Sequence, residues 1–263
     1  MNNFVASLDA FFSATAWTME RPPAYGAFHI LFVLIGFALS VFIAWKLRNL
    51  SERGKKAVLL TIGIFLFVTE IYRQLLHYFH IGNNSYVWGA FPFQLCDVPT
   101  YFCIIAPLLK KGKLQKSLYS FMMYYNLLSG AVAFTEPSGL LHEYWFLTLH
   151  SMTWHMLLVF VGLFLCFSNM GGKSKKDYFH ATAVLLVLCV FAFSLNLIHR
   201  NVSGGALNLF FIGPSNSPLV VFKYISQHYG WYTSTLLYIP ALCLGAFLIY
   251  LPIHHFSKKN IPV

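Results

Sequence analysis

The run AFHILFVLIGFALSVFIAWKL occupies residues 27–47 and carries one charged side chain, Lys46, near its end. A hydrocarbon core of about 30 Å requires roughly 20 helical residues, so this stretch is long and apolar enough to cross a membrane as one helix. Six further stretches have comparable length, approximately 57–79, 88–109, 117–135, 144–168, 178–198 and 232–256. The expected fold is therefore all-α, a polytopic transmembrane helical bundle of about seven spans. The third stretch is irregular, because Pro92 and Pro99 fall inside it. A broken or re-entrant start is expected there, and such backbone survives at membrane depth only where protein or a wet cavity covers it.

Composition supports this reading. Of 263 residues, 58% are hydrophobic, 18% are aromatic and only 10% are charged. A soluble domain of this size carries about 25% charged residues, so this chain could not cover a water-exposed surface. The formal net charge of +10 comes from short clusters between apolar runs, without the aromatic-interleaved basic stripe of a nucleic-acid binder. Its meaning is topological. Residues 46–56, 110–116, 173–176 and 258–259 hold fourteen Lys and Arg on one side, against Arg21, Arg200 and Lys223 on the other. The positive-inside rule then places the N-terminus outside and the C-terminus in the cytoplasm of a multi-pass cell-membrane protein.

No basic region precedes the first apolar run, so the first span is expected to act as its own signal anchor. Within residues 1–26, Phe4, Leu8, Phe11 and Phe12 recur at helical spacing, which suggests an amphipathic helix on the outer interface. Residues 27–263 then form a single transmembrane helical domain. The five cysteines all fall in expected spans, so no disulfide framework is indicated.

Ionisable and amide side chains within spans mark the candidate site. Glu70, Arg73 and His77 lie along one helical face, where Glu70 and Arg73 can pair and Arg73 can present its fork to a phosphate or carboxylate. In Phe91-Pro92-Phe93-Gln94-Leu95-Cys96-Asp97-Val98-Pro99, Cys96 sits between two prolines and beside an acid, whereas Cys103, Cys166, Cys189 and Cys243 read as small hydrophobes. A nucleophilic thiol needs a base, and His150 and His155 supply candidates. Their five-residue separation turns about 500°, so they do not share a face and cannot easily ligate one metal. No metal or other cofactor is expected. Asn126 adds a polar group that could reach the same cavity.

The Pro92-Phe93-Gln94-Leu95-Cys96 core precedes a helical hairpin ending near Thr135-Glu136-Pro137, and then a span in which His155 heads an apolar run. With His29 at the head of the first long span, this pattern resembles the YwaF-like integral membrane family over most of the chain. The family includes an animal branch whose activity is cysteine-dependent acyl transfer to lysophospholipids, notably ether lipids. The resemblance implies Cys96 as nucleophile and, most naturally, His155 as its partner. Bacterial members often carry histidine two places before the cysteine, where this sequence has Gln94, and that puts more weight on His155 or His150.

The implied reaction forms an acyl-thioester on Cys96 and passes the acyl group to a lysolipid hydroxyl. Gln94, Asn126 or freed backbone N–H groups would serve the oxyanion, and Arg73 would hold a phosphate. Water in place of the lysolipid would make the same apparatus a lipase. The partner in either case is a membrane lipid, phospholipid or lysophospholipid, and not nucleic acid. A second reading is a small-solute transporter, or the substrate-binding membrane subunit of one, using Glu70, Arg73, Gln94 and Asp97. A third is an assembly partner with no chemistry of its own.

Overall fold

The computed structural model describes residues 3–259; the side chains of Asn3, Lys258 and Lys259 also lie outside the described set. The elements are helices α1 (Asn3–Thr15), α2 (Ala27–Leu47), α3 (Glu52–Leu76), α4 (Val98–Leu108), α5 (Lys113–Phe121), α6 (Leu127–Ala133), α7 (Trp145–Phe167), α8 (Lys175–Ile198) and α9 (Val220–Lys259). A π-turn at His77–Ile81 extends α3, and another at Met122–Asn126 joins α5 to α6. The described residues contain no β-ladder beyond one isolated bridge between Thr18 and Tyr144.

Five helices are long and apolar enough to cross a membrane: α2, α3 with its π-turn, α7, α8 and α9. The third and fourth expected spans are not uninterrupted helices. Residues 88–109 become a short 3-10 turn, an irregular run and the 11-residue α4. At 1.5 Å per residue α4 reaches about 16 Å, roughly half of the hydrocarbon core. Pro99 fits this start, because proline is accepted in a first helical turn, where its missing N–H costs no hydrogen bond. Residues 113–133 are helical throughout, with the π-turn in the middle.

The burial pattern is that of a chain solvated by lipid. In α2 the buried residues are His29, Ser40 and Ala44, while Leu31, Leu34, Ile35 and Leu39 face outward. Apolar bulk is at home in hydrocarbon, so small and polar residues take the inside positions. Helix α7 is the axis of the bundle. In its most apolar window 56% of residues are buried, against 17–28% in the other four long helices. Helices α2, α3 and α6 all pack on it. The α6 approach is close: a Cβ on Gly130 would lie 2.8 Å from the His155 carbonyl oxygen.

Two other features position the site. Helix α9 breaks at Gly230, whose φ of 85° and ψ of 156° leave the helical region, so a short arm precedes the long crossing segment. At the opposite end of the chain, α1 packs against the end of α3 by stacking Phe12 on Phe79, with ring centroids 5.5 Å apart. The following segment pairs with the entrance to α7, where Met19 N–H donates to Glu143 O at 2.7 Å and Trp145 N–H to Trp17 O at 3.0 Å.

Candidate functional site

Residues 91–97 are non-helical backbone inside a bundle of spanning helices, and each polar group there needs a partner from the protein. Side chains from three surrounding helices, α3, α4 and α7, and from the run itself provide them. Arg73 donates to Ala90 O at 3.0 Å, and Gln74 donates to the same oxygen. Tyr101 O–H donates to Pro92 O, and Trp154 Nε1–H to Cys96 O at 2.8 Å. Asp97 accepts Gln94 N–H at 2.6 Å. The Gln94 amide donates to Asn208 O at 3.1 Å and accepts Phe210 N–H at 2.8 Å, fixing the loop before α9 against this run. That loop bends through left-handed conformations at Phe210 and Phe211 and buries Leu209 and Phe210.

Glu70 and Arg73 form a two-pronged ion pair, Nε to Oε2 at 2.8 Å and Nη2 to Oε1 at 2.7 Å. Gln74 adds a third bond to Glu70 at 2.8 Å. The three side chains are engaged with one another and with Ala90, which makes them the anchor of the irregular run. Arg73 Nη1 has no hydrogen bond among the described residues.

Between α3 and this run lies a cleft of about 190 Å³. Its α3 side is formed by Phe67, Ile71 and Leu75, which are 44%, 46% and 37% exposed, so the mouth faces the hydrocarbon side of the bundle. Glu70, Gln74, Asp97, Thr100, Tyr101 and Trp154 also line it, and the surface they present to it is almost wholly apolar. Thr100 Oγ1 is buried there without a hydrogen-bond partner. Cys96 sits one residue behind that wall, packed against the cluster of Leu66, Trp154 and Leu158. Its thiol has one hydrogen-bonding partner among the described residues, Asp97 Oδ1 at 3.9 Å.

The two histidines of α7 point to different surroundings. His150 stacks between Phe146 and Trp154, 5.4 and 4.9 Å away, with Nε2 buried and unpartnered. His155 donates Nδ1–H to Ser151 O at 2.8 Å and meets the Phe134 ring at 6.4 Å. A carbonyl can only accept, so this contact fixes the tautomer and leaves Nε2 as a lone-pair acceptor. Among the described residues neither histidine hydrogen-bonds to Cys96. Asn126 is buried in the π-turn between α5 and α6 with Nδ2 unpartnered, and it is not among the residues lining the cleft.

Trp154, Gln74, Thr100 and Tyr101 line the cleft and were not singled out in the sequence. Gln74 had a usable signal, since it stands one helical turn after Glu70 on the same face. Outside the spans, the His142 backbone closes on Thr148 Oγ1, and its ring lies 3.5 Å from Ser151 Oγ. Burial, and then the charge of Arg21, hold the His142 pKa below its ordinary value of 6.5. Among the described residues no group of three His, Cys, Asp or Glu could hold a metal ion.

An all-helical bundle with five candidate crossing helices, apolar outer faces and a broken polar segment inside defines a multi-pass membrane protein. The chain belongs to the TMEM164 family, whose sequence profile matches residues 24–250. No curated protein and no solved structure matches it.

Proposed function

We propose that the protein is a lipid-modifying enzyme that moves an acyl group through a thioester on Cys96, the reaction implied by its resemblance to the YwaF-like family. The observation that carries this reading is the cleft open to hydrocarbon, whose wall at Asp97 and Thr100 adjoins the Cys96 thiol. A phospholipid acyl chain can enter between Phe67, Ile71 and Leu75 without leaving the apolar phase. With the Lys- and Arg-rich loops in the cytoplasm, the mouth opens into the outer half of the membrane.

His155 is the base in this scheme, because its Nδ1–H is committed to Ser151 O and Nε2 is free to accept. His155 Nε2 takes the Cys96 proton and the thiolate attacks the ester carbonyl. The ester C–O bond breaks, and the leaving lysolipid oxygen takes the proton back from His155. A second lysolipid hydroxyl then gives its proton to His155 and attacks the thioester, releasing the thiolate, which is reprotonated. Substrate entry has to part the Cys96 thiol from Asp97, and His155, which packs on Phe134, has to come within reach of the thiol for this transfer. Arg73 Nη1, which makes no hydrogen bond among the described residues, is the donor offered to a lipid phosphate.

The test is intact mass spectrometry of the purified protein after incubation with an acyl-labelled phospholipid. A hydroxylamine-sensitive adduct is expected on the wild type, absent from Cys96→Ala and slowed in His155→Ala. No adduct across a broad lipid panel, with all three proteins equally stable, sinks the nucleophile.

A further inference from the structure

At the end of the bundle that carries the basic loops, a groove of about 500 Å³ runs between α2 and the last turn of α7. It is lined by Phe37, Ala38, Val41, Phe42, Trp45 and Phe167, so its walls are entirely apolar. Its end is not. Arg48 Cζ lies over the Trp45 ring, 4.0 Å from its centroid, and Lys46 Nζ sits 5.6 Å from the Phe42 ring and 5.5 Å from that of Trp45. Two cations are thus held at the polar end of an open apolar groove by rings that form its walls.

The surrounding charge has one sign. Residues 46–56 contain Lys46, Arg48, Arg53, Lys55 and Lys56 against Glu52, and Glu52 is already paired with Lys55 at 3.0 Å. Lys55 also donates to Ser168 O at 3.1 Å, which ties the basic loop to the residue after Phe167. Lys46 has no hydrogen-bond acceptor among the described residues, and Arg48 has only the Trp45 carbonyl.

We infer that this groove is a binding site for an anionic phospholipid, with one acyl chain along Phe37, Val41 and Phe42 and the headgroup phosphate between Lys46 and Arg48. The argument for this occupant is charge complementarity at one end and hydrocarbon lining along the rest. The site is separate from the cleft beside Cys96, and its occupation does not depend on any reaction there.

The experiment is native mass spectrometry of the detergent-purified full chain, titrated with phosphatidylglycerol and phosphatidylcholine bearing identical acyl chains. Phosphatidylglycerol is expected to bind more tightly. Each cation near an anionic headgroup contributes about fivefold, so Lys46→Ala with Arg48→Ala should weaken phosphatidylglycerol by roughly 25-fold and bring it to the level of phosphatidylcholine. Lys110→Ala with Lys111→Ala, in a different basic loop, should change nothing. Ala38→Trp fills the groove at an exposed position and should reduce both lipids while the protein keeps its thermal stability. Equal binding of the two lipids by the wild type overturns the proposal, as does a preference that survives the Lys46 and Arg48 changes. Phosphatidylglycerol binding unaffected by Ala38→Trp, or a groove closed by a second copy of the chain in a lipid-free dimer, overturns it too.

Discussion

The indole Nε1–H of Trp154 donates to the backbone carbonyl of Cys96 at 2.8 Å, so the central helix of the bundle directly holds the residue proposed as nucleophile. Trp154→Phe keeps most of the ring and removes the donor. Leaving a buried carbonyl unpaired costs about 1–3 kcal/mol, so the unfolding midpoint should fall. Cys96 should also become more reactive toward a small maleimide. Unchanged stability and unchanged labelling would show that the contact restrains nothing.

The Glu70–Arg73 pair should behave as a buried pair whose members cannot be removed singly. Glu70→Gln leaves a guanidinium uncompensated and is expected to destabilise by about 3 kcal/mol, while Glu70→Gln with Arg73→Met should recover a good part of that. Denaturation of Glu70→Gln, Arg73→Met and the double variant in one detergent gives the coupling directly. Additive losses would mean that the two side chains act independently.

Gly130 permits the close approach of α6 to α7. In Gly130→Ala the new methyl group meets the His155 carbonyl oxygen at 2.8 Å, a backbone contact that cannot swing aside. Overpacking of this kind costs about 1–3 kcal/mol, and the helices must separate to relieve it. A thermal shift equal to that of the wild type would show that the crossing yields easily.

Asp177 links α8 to α5 and caps its own helix. Its Oδ2 accepts from Ser174 N–H at 3.0 Å, and its Oδ1 meets Lys116 Nζ at 2.8 Å. The Lys116 side chain is 54% exposed and that of Asp177 only 9%, so the two removals should differ. Lys116→Ala is expected to lose less than about 1 kcal/mol, and Asp177→Ala about 1–2 kcal/mol through the lost capping box. Equal effects would contradict the capping argument.

His142 predicts the direction of one pH effect. Its pKa is held below 6.5 in the folded protein by burial and by Arg21. Above 6.5 the ring is neutral both folded and unfolded. Below 6.5 the unfolded chain takes up a proton that the folded ring resists, so stability falls as the solution is acidified. The fall should be shallower in His142→Gln, read from unfolding midpoints across a pH series. A wild-type midpoint that rises on acidification, or an unaltered slope in the variant, would refute this.

Helix α2 was legible to the residue, because a membrane span needs only length and an absence of charge. The interruption before Pro99 was legible too, since two prolines in one apolar run leave few alternatives. The half-length of α4 was not, because residues 88–109 are apolar enough to mimic a full crossing. Partners of the irregular run were equally hidden: nothing in the sequence singles out Trp154 and Tyr101 among the many aromatics, and only the folded chain shows their N–H and O–H groups meeting carbonyls. Gln94 was one of several candidate oxyanion donors, and its amide is engaged with the 208–210 loop, a contact 114 residues away that no local spacing announces.

That long-range contact bears on how the chain is made. Gln94 finds its partners at Asn208 and Phe210, 114 and 116 residues downstream. At ribosomal speeds of about 5–20 residues per second, the segment holding Cys96 waits on the order of 10 s after synthesis for its last cover. During biogenesis it depends on Arg73 and Gln74, already made, to shield Ala90 O from the bilayer. A defect in either side chain should therefore be felt first by the membrane insertion machinery and its quality-control proteases, before any assay of the finished protein.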